Sequence, residues 1–212
     1  MSSPDHAAYS FADAKAEFDR AWTDPNCTRF ELPAVDVNQV LKDRYETASP
    51  VHVTRSMVWD MEAKKAWDPA TYIPYVVSEG TSWGRHRLAD GHERFFRASD
   101  QAAWISPDRG RILEDVFVNH DAQEVYFLGR AEMVTEAGDR IRAGDHQPLF
   151  HVVHAAGGSD SAPLNLWRIV MLTEHEDPRL VQPFVAMAAA GLLPGFLEIY
   201  IARDLGVELR RR

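Results

Sequence analysis

Two histidines, His151 and His154, stand three positions apart in the run LFHVVH. On a strand, residues three apart point to opposite faces, so the spacing argues against a simple two-histidine metal site. His151 shares a face with Leu149 and Val153, and an imidazole among apolar neighbours is suited to general-base work near neutral pH. Asp115 alternates with Leu113 and Phe117, and Glu132 with Leu128 and Arg130. A carboxyl group on an apolar sheet face has its pKa raised by desolvation, which suits proton transfer. The candidate catalytic residues are therefore His151, Asp115 and Glu132. Arg130 and Arg168 lie on the same strands. Facing inward they would bind a ligand and stabilise an oxyanion; facing outward they would pair with the acids. Asp145 and His146 follow Gly144 at an expected bend and read as turn residues, and His175 in TEHED reads as a solvated acidic strand end.

Composition narrows the chemistry further. The 212 residues carry 32 acids against 23 bases, a formal charge of -9. That balance argues against wrapping duplex nucleic acid. A hydrophobic fraction of 45% with six Trp, six Tyr and ten Phe is enough for a sizeable core. The lone Cys27 makes neither an intramolecular disulfide nor a thiolate zinc cage. No glycine-rich phosphate loop or GxGxxG turn is present, so no nucleotide, redox cofactor or metal is expected. The opening MSSPDHAAYS lacks a secretory pattern, and no run approaches the ~20 apolar residues of a membrane span. A cytoplasmic protein without membrane or nucleic-acid partners is the expectation.

The elements that must position these residues follow from periodicity. Phe11–Trp22 has helical spacing with Ser10 as N-cap, and Val35–Tyr45 is a second short helix. Residues 1–50 are read as a helical extension packing on the domain or on a partner subunit, and 51–212 as one α+β domain. Val53–Lys65 fits a helix, with Met57, Met61 and Lys64 on one stripe, though its first residues also alternate like a strand. Tyr72–Val77, carrying Pro74, is an edge strand or an extended run over a pocket. Asp90 with Glu93 predicts a capping box opening a helix over His92–Ala98. Strands are predicted at Arg111–Asn119, Gln123–Glu136, Arg140–His154 and Asn165–Glu174, joined by short turns into an antiparallel sheet. Phe184–Leu193 reads as a buried or interface helix within a helical stretch from Pro178 to Leu205, and Arg210–Arg212 as a frayed tail. A strongly curved antiparallel sheet wrapped by helices would make a cone with an internal cavity, a common place for a small apolar ligand.

Two stretches carry a family resemblance. MVWDMEAKKAWDPATYIPYVV leading to EGTSWGRHRLADGHERFF, and QEVYFLGRAEM with QPLFHVVH and LNLWRIVMLTEH, resemble the SnoaL-like group of the nuclear-transport-factor-2-like cone superfamily over Val53 to Asp177. The resemblance implies a cone-shaped α+β fold, homodimers and acid/base residues inside the cone. It points to Trp67, Tyr72, Trp83 and Trp167 as ligand-binding wall residues. The tail MAAAGLLPGFLEIY is similar to that of phenazine-biosynthesis members. Those members place an acid five positions before the histidine of LFH; this chain departs there, with His146 at the position and Asp145 beside it. The START-like helix-grip domain is the second fold in view.

The functional expectation is a cofactor-independent acid/base enzyme, an isomerase, cyclase, dehydratase or hydratase (a lyase or isomerase of SnoaL-like type), acting on a small hydrophobic cyclic or aromatic metabolite. A non-catalytic small-molecule carrier of the same fold is the alternative.

Overall fold

The computed structural model describes residues 9–212; the opening run at residues 1–8, with most of the segment read for a targeting signal, lies outside them. In chain order the elements begin with α1 (Phe11–Thr23), β1 (Thr28–Glu31), β2 (Val35–Asp36), α2 (Val37–Arg44) and β3 (Tyr45–Thr47). Next come α3 (Arg55–Trp67), α4 (Pro69–Tyr72), β4 (Val77–Arg87), β5 (Glu93–Ala102), β6 (Arg109–Asn119) and β7 (Glu124–Gly129). The chain continues through β8 (Glu132–Val134), β9 (Arg140–Arg142), β10 (Phe150–Gly158) and β11 (Pro163–Met171). A 3-10 turn (Pro178–Val181), α5 (Gln182–Ala190), α6 (Gly195–Arg203) and β12 (Leu209–Arg211) complete it.

The main sheet is antiparallel in the order β1-β11-β10-β7-β6-β5-β4, with β2 also paired to β11. Its central strands are buried on both sides: every residue of β6 from Ile112 to Val118 is buried. Strand alternation therefore divides the sequence between two cores. Val116, Val118, Val125, Phe127, Val152, Ile169 and Met171 join α2, α3 and α6 on one face. Phe117, Tyr126, Leu128, Val153 and Val170 pack against Phe11, Ala14 and Phe18 of α1 on the other. Ser10 caps α1 in a complete capping box with Asp13.

The cone is overturned. The sheet is open, with β1 and β4 at separate edges, and it is neither closed nor curled into a cone; two small sheets, β12-β3 and β8-β9, stand apart from it. Several element boundaries differ as well. The expected helix at His92–Ala98 is strand β5, paired along its length with β6. Asp90 instead closes the β4–β5 turn: its carboxylate accepts from His92 N at 3.2 Å and from Phe11 N at 2.9 Å, and Gly91 takes φ +87°. The expected strand Gln123–Glu136 breaks after Gly129, and β8 pairs with β9 in its own hairpin. The C-terminal arginines are not a frayed tail: β12 pairs with β3, and Arg211 binds Glu198 at 2.7 Å. Residues before position 50 contribute two strands to the main sheet as well as helices.

Among the described residues no single helix is long and apolar enough to cross a membrane. The helical stretch 178–190 and α6 together have the composition and length, but they bend by 52° at their break, and α6 buries Leu197, Tyr200 and Ile201 in the core.

Candidate functional site

A cavity of about 180 Å³ lies between the sheet and the segments α3, α5 and α6. Its wall is mostly aromatic and aliphatic. Trp104 packs edge-on to Phe150 at 4.8 Å, and Trp167 edge-on to Phe184 at 5.0 Å. Phe127, Val152, Ile169 and Phe196 continue the lining, and Ile73, Tyr75 and Val76 close it beside α4. Phe184 and Met187 come from α5, a helix none of whose residues is fully buried.

The polar part of the wall is Lys65, His154, Arg97, Glu114 and Gln101. Lys65 is only 3% exposed. Its position follows from α3. Thr54 caps the helix by accepting from Met57 N at 3.2 Å. Val58, Met61, Glu62, Lys65 and Ala66 then fall at the i, i+3, i+4, i+7, i+8 spacing of a buried stripe, all five buried. Two stripe positions thus hold charges instead of apolar side chains, and each is compensated. Lys65 Nζ lies 2.5 Å from Glu62 Oε2 and donates to His154 Nδ1 at 3.1 Å. It also stands 3.7 Å above the Phe196 ring, a cation–π contact. Glu62 Oε1 accepts from Asn165 Nδ2 at 2.7 Å and lies 3.4 Å from His154 Nδ1. The Lys65 bond leaves the other ring nitrogen of a neutral His154 to carry the proton.

Arg97 anchors the end of the same helix. It donates to the carbonyls of Lys65 and Ala66 at 3.3 and 3.0 Å, where a cation complements the helix C-terminus. Its guanidinium also binds Glu114 at 2.6 Å and lies 4.6 Å from the Phe127 ring. The lining cluster is therefore two cations, Lys65 and Arg97, each against one carboxylate.

Burial sets the proton affinities. Desolvation pushes the Lys65 ammonium down to about 8, against the opposing pull of Glu62. It pushes His154 down to about 4, again against Glu62. Burial alone would raise the Glu62 carboxyl, but His154 and Lys65 outweigh it and hold Glu62 at about 2. Near neutral pH the site holds a carboxylate, a neutral imidazole and an ammonium that titrates unusually low, in direct contact. Such a set can give and take protons at a ligand bound beside it.

The residues singled out in the sequence distribute differently. His151, Asp115 and Arg130 do come together, but under α1, on the face away from the cavity. Arg94 grips Asp115 through two bonds of 2.8 Å. Arg130 reaches Asp115 at 3.4 Å and also pairs with Glu17 of α1. His151 accepts from Gly129 N at 3.1 Å and faces Glu17 at 3.4 Å, and burial pushes its pKa down to about 4. Arg168 lies on the same side, against the Phe18 and Trp22 rings. Glu132 is on the β8–β9 hairpin, paired with Arg140 and Arg142. Trp167 lines the cavity. Tyr72 is buried but is not among the lining residues; its hydroxyl donates to Asp204 at 3.0 Å. Trp67 packs on Phe95 and is 36% exposed, and Trp83 lies on β4 against Phe96.

Glu62, Lys65, Arg97 and Glu114 are not singled out by the sequence, and His154 enters there only as half of a metal pair that strand parity argues against. The signal for two of them was available: a Glu and a Lys three apart, both on the stripe defined by Val58, Met61 and Ala66.

The fold and site define an α+β protein with an apolar cavity and a buried acid–base cluster on its wall. No family model matches the chain, and no curated protein matches it. Solved structures similar to it include the Zhui aromatase/cyclase from Streptomyces sp. R1128, at 10% identity and TM-score 0.48, covering 85% of this chain and 98% of that one. A truncated norcoclaurine synthase from Thalictrum flavum matches at 10% identity and TM-score 0.43, over 86% and 98%. A START superfamily protein from Mycobacterium smegmatis matches at 13% identity and TM-score 0.41, over 77% and 98%.

Proposed function

We propose that the protein takes a small, neutral, aromatic or cyclic molecule into the cavity and moves a proton on it without a cofactor, the chemistry of an isomerase, cyclase, dehydratase or hydratase. The observation that carries this reading is the contact of Lys65 with both His154 and Glu62 on the wall of an aromatic cavity. A cavity of about 180 Å³ is of the order of the ~150 Å³ engineered cavity that accepts benzene, so the occupant is of one-ring to small two-ring size. Lys65 is the general acid, His154 the group that relays its proton, and Glu62 the residue that positions both. Trp104, Phe150, Trp167 and Phe184 hold the ring by edge and face contacts.

The experiment is a fluorescence screen of small neutral aromatics, reading Trp104 and Trp167, followed by product analysis of each binder. Binding with chemical change that is lost in His154→Gln supports the reading. Turnover unaffected by both His154→Gln and Lys65→Met would overturn it.

One observation favours a second reading, a carrier that binds without turnover. Lys65 and Arg97 are each already matched to a carboxylate, so the cavity wall is charge-balanced as it stands. Recovery of every binder unchanged after prolonged incubation would favour the carrier.

A further inference from the structure

The chain has four lysines, Lys15, Lys42, Lys64 and Lys65. Lys15 and Lys64 carry side chains 49% and 42% exposed, and Lys42 is exposed. Lys65 alone is buried, and it lies on the cavity wall. We infer that Lys65 forms a reversible imine with the carbonyl carbon of a small aromatic aldehyde held in the cavity. This rests on the reading of the cavity as a site for a small aromatic molecule.

The geometry supplies what the reaction needs. An amine must shed a proton before it attacks, and His154 Nδ1, 3.1 Å away, accepts one. The amine lone pair then forms the N–C bond while the carbonyl π pair moves to oxygen, which takes the proton back from His154. The new ammonium gives a second proton to His154, leaving a carbinolamine. The nitrogen lone pair expels the hydroxyl, which leaves as water with that proton. Ammonium and aldehyde become iminium and water, and no oxidant or reductant enters. A desolvated lysine in an apolar pocket near another cation is a known setting for carbonyl condensation, and Arg97 is the second cation here.

Charge selects carbonyl compounds over acyl donors. An iminium keeps the positive charge on the Lys65 nitrogen, so Glu62, 2.5 Å away, keeps its partner. Acylation would neutralise that nitrogen and leave a buried carboxylate unpaired, which is strongly unfavourable.

The test uses the full chain with benzaldehyde and sodium cyanoborohydride at pH 7.5, read by intact mass and peptide mapping. The expected result is a benzyl group mapped to Lys65, formed at least about tenfold faster than on the three surface lysines, and suppressed by benzyl alcohol. Labelling of Lys15, Lys42 or Lys64 at rates equal to or above that of Lys65 overturns the inference. Benzyl alcohol, which has no carbonyl, separates the two claims. If it changes the tryptophan fluorescence and Lys65 stays unlabelled, the imine is wrong and the cavity reading stands. If benzyl alcohol does not bind and Lys65 stays unlabelled, both fall.

Discussion

His151 and His154 project from one strand to opposite sides of the sheet, His151 to Glu17 of α1 and His154 to Lys65 of α3. One strand thereby supplies a histidine to each of two buried ionic clusters, and only the second borders the cavity. Replacing His151 with Phe is expected to lower stability through the lost Gly129 and Glu17 contacts, by about 1–3 kcal/mol, and to leave ligand affinity in the cavity unchanged. Parallel urea melts and binding titrations check this, and a matching loss of affinity would contradict it.

Glu62→Gln leaves the Lys65 ammonium buried without its carboxylate. Removing one member of a buried pair costs about 3–5 kcal/mol, so the urea midpoint should drop sharply. The double variant Glu62→Gln/Lys65→Met removes both charges and should recover much of that loss. A double variant no more stable than Glu62→Gln would show that the pair is not an isolated energetic unit.

Acid should destabilise the protein from an early point. His151 and His154 titrate near 4 when folded, against an ordinary 6.5. Between those values the unfolded chain binds more protons than the folded one, so stability falls as pH drops from 6.5 to 4. Glu62, held at about 2 against 4.5, contributes stability above pH 4.5 that is lost as pH falls toward 2. Urea midpoints at pH 7, 6, 5 and 4 should decline at every step, and a flat profile from 6.5 to 4.5 would be the contrary result.

Gly129 sits where a β-carbon would lie 2.4 Å from the Phe150 carbonyl oxygen. Gly129→Ala must therefore push β7 away from β10, at a cost of about 1–3 kcal/mol. Chemical denaturation of the variant reads this directly; an unchanged midpoint would mean the two strands separate freely at that point.

β6, β11 and the cores of β7 and β10 were legible because central strands carry long apolar alternations, whereas the expected strands Gln123–Glu136 and Arg140–His154 each divide, giving up β8 and β9 to a hairpin outside the main sheet. The β4–β5 hairpin was not. β4 is an edge strand exposed over most of its length, so it shows no alternation, and Asp90 with Glu93 imitates a helix cap. The expected cone failed at a different level, since residue patterns describe faces and leave sheet closure undetermined. The site was missed for the same reason. Asp115 and Glu114 both sit among apolar neighbours, because both faces of β6 are buried. Nothing in the strand itself distinguishes the side under α1 from the side lining the cavity. That distinction came from helix α3, whose stripe carries Glu62 and Lys65.

The pairing of β12 with β3 joins Leu209–Arg211 to Tyr45–Thr47. Forming it closes a loop through nearly the whole main sheet, and long-range closures are entropically costly and slow. This seam is therefore expected to assemble last during folding and to open first under strain, making it the place where partial unzipping of the native protein begins.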